Sequence, residues 1–365
     1  MWHESEYMLF GRNPSENVGR MINHRYRFVR SVELSTMSSD TLARAQGALL
    51  GLACGDALGR PVEFLAPERI RERHGRVDEM LGYGTHRQPA GTITDDTEMA
   101  LCIARSLVDR GGFDPADVAD RFVVWLASGP FDVGIMTANA LGRIGDGEPW
   151  DVAGVREWES SPEGSNAGNG SLMRCLPHAI ACRDDPDALV RVSRQSSSST
   201  HADPRCQWAC AAYNLTIAGL MTGREDPLVN VMARMDAMEE MDSVDAIGEM
   251  DAMEVPSGEM PDEVHEAVRS VIEYQAGELD DLELRNSGYV VSTLEAGLYH
   301  GLTAESAEEA IVNAVMMGGD TDTIGAVTGG VAGARFGIEG LPERWVEALS
   351  VGEEIEELGE GLVEV

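Results

Sequence analysis

The sequence predicts an all-α fold. Aromatic residues make up only 5% of the 365 residues and β-branched runs are sparse, whereas the 43% hydrophobic fraction, rich in Ala, Gly, Leu, Met and Val, is ample for a helical core. Two glycine stripes point the same way. Gly47, Gly51, Gly55 and Gly59 recur every four residues in QGALLGLACGDALGR, and Gly325, Gly329, Gly333 and Gly337 repeat that spacing in TIGAVTGGVAGARFG. Positions i and i+4 share a helix face, so each segment carries a bare ridge. Glycine costs about 1 kcal/mol against alanine inside a helix, and a row of four implies a gain from close backbone approach. Small-residue pairing in lipid fails on length, because Asp322 and Arg335 bracket far fewer than the roughly 20 apolar residues a span needs. Two buried central helices, ridge against ridge, are expected.

The remaining elements follow along the chain. The first helix runs from Asp40, a suitable cap, to about Gly59. Asp95 to Gly111 is the next clear one: Asp95 and Glu98 have capping-box spacing, Met99, Cys102, Ile103 and Leu107 form an apolar face, and Gly111-Gly112 stops it. A helix over Asp117–Ala127 follows, and another is expected to start near Ser171 with Pro177 in its first turns. Asp203 and Pro204 form an N-cap and first-turn pair for a helix through Met221 that ends at Gly223. Residues 224–264 differ in character: MDAME occurs twice, methionines recur every three residues from Met232 to Met241, and the charge is almost wholly negative. That composition suits a surface acidic insertion better than a methionine-lined partner face. Helical pattern resumes in SGYVVSTLEAGLYHGL and from Ser306 to Met317, and 353–365 reads as an acidic tail or a final short helix.

The formal charge is −35 and every basic side chain other than histidine is arginine. Such a surface repels nucleic-acid phosphate and anionic membrane, which argues against stable nucleic-acid binding or a membrane role. It fits life at high salt, where a Debye length of about 3 Å at 1 M screens self-repulsion. Six cysteines without a CxxC pair imply reduced core thiols, and residues 1–36 hold no apolar run fit for a signal peptide, so a cytoplasmic location is expected. Residues 1–36 themselves read as a disordered extension or a misassigned start, because Met37 directly precedes the Ser-Ser-Asp of the first helix.

Two clusters carry chemistry. Thr94-Asp95-Asp96-Thr97 and Asp320-Thr321-Asp322-Thr323 each open a helical run. Singly, either is more naturally an N-cap than a ligand set. A cap needs one oxygen, however, and each cluster offers two carboxylates with flanking threonines. Together they look like two halves of one site of hard oxygen donors, suited to Mg²⁺, Mn²⁺ or Ca²⁺. Two carboxylates about 4 Å apart repel by roughly 4 kcal/mol at an effective dielectric of 20, so four converging aspartates call for cations.

Read in order, GALLGLACGDALGRPVEF, GTITDDTEMALCIARSL, SGPFDVGIMTANAL, GNGSLMR, STHADPR, SGYVVSTLEAGL and GGDTDTIGAVTGGVAGARFG resemble the ADP-ribosylglycohydrolase family. The resemblance implies a compact, orthogonal all-α domain, here spanning about 37–352. It also implies metal-dependent hydrolysis of the bond between the distal ribose of ADP-ribose and a modified macromolecule, normally an ADP-ribosylated protein. Two divalent cations, Mg²⁺ or Mn²⁺, would sit on Thr94, Asp95, Asp96, Asp320, Asp322 and Thr323. Glu63 matches the family's mobile glutamate and is the implied general acid/base, although a glutamate beside a proline turn is ordinarily a surface residue. Gly129, Pro130, Asp132 and Gly134 match the loop around the distal ribose, with Asp132 as a second acid. Asn166, Gly168, Asn169 and Gly170 match a loop that contacts ADP-ribose, where backbone donors before a helix suit diphosphate. His201 matches a residue near the ligand, and by itself reads as a satisfied loop histidine. The alternatives from other classes are a non-catalytic ADP-ribose reader or crystallin-like member of the same fold, and a metal-dependent nucleotide phosphohydrolase.

Overall fold

The structure is a computed structural model, which describes residues 39–162, 164–224, 226–245 and 260–365. The expected N-terminal extension and the second MDAME repeat lie outside the described residues. Among the described residues there are sixteen α-helices and two short 3₁₀ turns, and the only β pairing is two isolated bridges, Tyr83 with Gln88 and Gly168 with Tyr289. None of these helices is long and apolar enough to cross a membrane.

Helix α1 (Ser39–Gly59) and helix α14 (Thr321–Phe336) form the centre, antiparallel and buried along most of their lengths. The two glycine ridges meet as the sequence predicts. A methyl group on Gly51 would stand 2.2 Å from the Gly329 carbonyl oxygen, one on Gly55 1.9 Å from that of Gly325, and one on Gly59 2.0 Å from that of Thr321. The opposite side is as tight: a methyl on Gly333 would fall 1.9 Å from the Gly47 oxygen. Only glycine admits this approach, and its consequence is positional, because the C-terminal end of α1 is laid beside the N-terminal end of α14.

The other helices wrap this pair. α2 (Pro67–His74) follows the turn at the end of α1; α3 (Asp95–Arg110), α4 (Pro115–Ala127), α5 (Ile135–Gly145) and α6 (Trp150–Ser160) pack successively on one side. α7 (Pro177–Ala181), α8 (Pro186–Ser198) and α9 (Pro204–Met221) follow, then α10 (Pro227–Asp245), α11 (Asp262–Gln275), α12 (Val290–Thr303) and α13 (Ala307–Val315). Caps agree with the sequence at α9, where Asp203 accepts from Arg205 N at 2.9 Å, and at α13, where Ser306 accepts from Glu309 N at 3.1 Å. α4 starts slightly earlier than expected, because Asp114 rather than Asp117 is its cap.

Two expectations are corrected. The helix expected from Ser171 is absent: residues 170–174 form turns and α7 begins only at Pro177, the first position where a missing N–H is harmless. Within the expected acidic insertion, α10 buries Leu228, Val231 and Met235, and Met260 and Val264 are buried on its far side, so its described parts belong to the core. The closing segment takes the helical of its two expected forms, α16 (Gly352–Glu364), which follows the short α15 (Glu343–Val346), packs against α1 and α3, and buries Ile355, Leu358 and Leu362. In α16 the acidic residues cover the outward stripe, and net charge hid the apolar one.

Candidate active site

The site lies where the paired ends of α1 and α14 meet the start of α3. Thr94 is the N-cap of α3, and its hydroxyl accepts from Asp96 N at 3.4 Å. Two further amides at this helix start go to a residue of α1: Asp56, wholly buried, accepts from Thr94 N at 3.0 Å and from Thr97 N at 3.2 Å, and also takes the Thr97 hydroxyl. Glu98 does not close a capping box, because its carboxylate accepts from the Trp125 indole at 2.6 Å. Asp95 and Asp96 are therefore released from capping. At α14 the N-cap position belongs to Asp320, whose side chain makes no cap bond and instead accepts from the Asn169 amide at 2.8 Å. Capping at α3 thus falls to Thr94 and Asp56 rather than to Asp95 or Asp96, and at α14 the one first-turn amide given to an aspartate side chain is Thr323 N, which donates to Asp322 at 2.9 Å.

The two clusters converge. Asp96 Oδ2 accepts from the Thr94 hydroxyl at 3.1 Å and from the Thr323 hydroxyl at 3.4 Å, so one carboxylate bridges both helix starts. Asp96 Oδ1 is buried and takes no hydrogen bond. Burial holds Asp95, Asp96 and Asp322 well above the ordinary carboxylate range, and mutual repulsion among them and Asp56, Asp132, Asp320 and Glu63 adds to it. Hard oxygen donors gathered out of water, one oxygen orphaned and all short of positive charge, are what a divalent cation satisfies. The donor set fits such an ion.

Glu63 stands at the turn after α1, only 5% exposed. It is not the surface residue that its proline context suggests. Its carboxylate bonds His86, which lies 3.3 Å from Asp132, and one donor atom from each of Glu63, His86, Asp132 and Asp322 lies within 4.8 Å of the others. Burial, then the charges of Asp132 and Asp320, push the Glu63 carboxyl up to about 8, and burial likewise raises Asp132. Of the expected metal ligands only Asp322 enters this second convergence, so the two acidic sets meet at that residue. His86 and Asp56 are residues of this crevice that sequence reasoning missed. Asp56 had a signal, a charge inside a glycine-striped buried helix. His86 had none, since it lies in an irregular loop.

That loop is tied down by Arg60, fully buried, which donates to the carbonyls of Tyr83 at 3.2 Å, Pro89 at 2.9 Å and Thr92 at 2.9 Å. Thr85 adds a bond to the Glu63 carbonyl at 2.8 Å. Gly134 donates its N–H to Asp95, bringing the loop of Gly129, Pro130 and Asp132 to the same crevice, with Gly129 itself exposed in a left-handed turn.

The glycine loop borders the other side. Asn169 N donates to Gly288 O at 3.1 Å, and its side chain reaches both Asp320 and the Thr293 hydroxyl. Gly168 and Gly170 lie against the His201 ring: a methyl on Gly170 would meet it at 2.8 Å. His201 is 3% exposed, bonded at Nδ1 to Thr200 and neutral, pushed down to about 3 by burial and by the Arg174 charge. Asn166 accepts from Arg205 at 3.4 Å. With no helix behind Ser171, donors to an anion here come from the turn's own backbone and not from a helix end.

Comparison with known proteins agrees with this architecture. The model of the ADP-ribosylglycohydrolase family matches residues 37–365. The ADP-ribosylarginine hydrolase Tri1 of Pseudomonas putida is 33% identical over 92% of this chain and 82% of its own length. The ADP-ribosyl-[dinitrogen reductase] glycohydrolase of Rhodospirillum rubrum is 32% identical over 84% of this chain and 90% of its own. A solved structure, an ADP-ribosylglycohydrolase-related protein complex, superposes with a TM-score of 0.68 at 33% identity, covering 89% of this chain and 98% of that one. With the helical fold, the buried acidic crevice and a match over nearly the whole chain, the protein belongs to the ADP-ribosylglycohydrolase family and is a glycosyl hydrolase.

Proposed function

We propose that the protein removes ADP-ribose from a modified protein side chain in a reaction that depends on divalent cations. The orphaned, buried Asp96 Oδ1 among raised-pKa carboxylates is the observation that carries the metal dependence. Thr94, Asp95, Asp96, Asp320, Asp322 and Thr323 would hold two Mg²⁺ or Mn²⁺ ions, which supply Lewis acidity toward the ribose oxygens and water.

Glu63 moves the proton. Desolvation and the neighbouring Asp132 and Asp320 charges raise its carboxyl, so it holds a proton more readily than an exposed glutamate and is suited to protonate the departing side-chain nitrogen or oxygen at C1″ and then to take a proton from the attacking water. Asp132 steers it through the shared contact with His86. Asn169 orients Asp320, while Gly168 and Gly170, kept bare beside His201, leave room for the ligand backbone. Gly129 and Asn166 would line the two ends of the bound ADP-ribose. A purely structural role would not maintain a charged crevice whose repulsion opposes folding, which favours the enzyme over the crystallin-like reading. The formal charge of −35 supports a salt-adapted enzyme, and activity that rises with molar KCl would agree with it.

The decisive test is incubation with peptides ADP-ribosylated on arginine or on serine, with EDTA, Mg²⁺ or Mn²⁺. Release of free ADP-ribose only with cation is expected. Release in EDTA would overturn the metal dependence, and phosphate-bond cleavage would favour a phosphohydrolase.

A further inference from the structure

Backbone strain and exposed apolar surface coincide at one place. Of the seven large apolar side chains exposed among the described residues, Phe64, Tyr83, Phe131 and Ile135 lie on the segments that supply the acidic crevice. Phe64 follows Glu63; Tyr83 lies in the loop that carries His86; Phe131 precedes Asp132 and packs its ring 5.5 Å from that of His86; Ile135 follows Gly134, the donor to Asp95. They are not marginally uncovered: Phe64 is 71% exposed, Tyr83 74% and Ile135 79%. The three non-glycine residues with positive φ among the described residues are Phe64, Tyr83 and Arg87, all on the same two segments. Aromatic residues disfavour this conformation, so something must hold it. Phe64 N donates to Gly319 O at 2.6 Å, Tyr83 N to Gln88 O at 2.6 Å, and the buried Arg60 fixes the Tyr83 carbonyl. The fold thus uses its anchoring bonds to keep two aromatic side chains in solvent beside the reacting centre.

Resting on the activity proposed above, we propose that Phe64, Tyr83, Phe131 and Ile135 form a preorganised apolar rim that seats the polypeptide around the modified side chain, making the substrate a folded protein with apolar residues flanking its ADP-ribosylated position. Continuity with the crevice argues for this occupant, since anything attached to C1″ of a bound ribose must leave past these residues. The charge of −35 argues against a nucleic-acid acceptor.

The test compares wild type with the triple variant Phe64→Asn, Tyr83→Asn, Ile135→Ser. Asparagine tolerates the left-handed backbone, and none of the three residues belongs to the proposed catalytic or metal set. Substrates are an ADP-ribosylated folded protein and a free ADP-ribosylated amino acid of the same linkage. The kcat/KM for the protein should fall about tenfold or more, as for loss of interface anchors, while that for the small substrate stays within about twofold. Unchanged protein turnover would overturn the rim, as would an equal fall on both substrates. So would faster cleavage of an ADP-ribosylated oligonucleotide than of the protein. If wild type cleaves neither substrate the activity reading fails, and the rim is then judged by affinity for the modified protein, where equal binding by wild type and variant refutes it.

Discussion

Replacing Gly55 with alanine tests the architecture at its tightest point. The added methyl would sit 1.9 Å from Gly325 O, 2.3 Å from Gly325 C and 2.9 Å from Ala326 N, all backbone atoms that cannot rotate away. A normal carbon–oxygen contact is about 3.3 Å, so α1 and α14 must part locally by about 1.4 Å. A gap approaching 1 Å forfeits a quarter to a half of each dispersion contact along an interface, and overpacking commonly costs about 1–3 kcal/mol even where side chains can yield. The gain in helix propensity of about 1 kcal/mol does not offset the upper part of this range, and a net loss of about 2 kcal/mol is expected. Gly142 supplies the control: it lies within α5, and an added methyl there would meet nothing within 4 Å, so Gly142→Ala should stabilise by about 0.5–1 kcal/mol. Urea midpoints read at constant slope measure both. Activity should fall in Gly55→Ala beyond the loss in stability, because the displaced segment carries Asp56, which holds the start of α3. A Gly55→Ala midpoint equal to or above that of wild type would refute close backbone packing as the reason for the stripes.

Asp95→Ala or Asp322→Ala should abolish turnover while circular dichroism stays helical, and Thr94→Ala should be milder because it removes no charge; normal turnover in Asp322→Ala would sink the metal assignment. Glu63→Gln should bind ADP-ribose but lose about 10²- to 10⁴-fold in kcat, and loss of binding alone would make Glu63 a positioning group. In EDTA, stability should fall as pH rises from about 4 to 8. The folded state keeps protons on Asp56, raised to about 6, and on Glu63, raised to about 8, after the unfolded chain has released them near pH 4. Thermal melts in Mg²⁺ or Mn²⁺ should lose most of that slope, and a slope that cations leave untouched counts against their binding here. Met235→Ala should cost about 2–5 kcal/mol despite lying in the acidic segment, because the side chain is fully buried; an unchanged urea midpoint would return that segment to the surface.

What the sequence determined by itself was whatever local periodicity encodes. The glycine stripes specified not only two helices but the face each presents, since i, i+4 spacing with no side chain has one physical use. The Asp203-Pro204 start and the Gly111 stop were legible because caps act over three or four residues. The acidic clusters could be recognised as a doubled feature, yet their release from capping could not. That depends on Asp56 crossing from α1 to the start of α3, and on Asn169 drawing Asp320 away from its own helix. Such contacts join residues distant in sequence, and no local pattern carries them. The same holds for Glu63 and His86: a proline turn and an irregular loop each look exposed until Arg60, buried behind them, gathers the loop carbonyls and presses the two side chains together. Composition misled at α10, where net charge outweighed the apolar positions Leu228, Val231 and Met235. Burial is a property of the partner surface as much as of the residue, so only the packed tertiary structure decided which acids face water and which face each other.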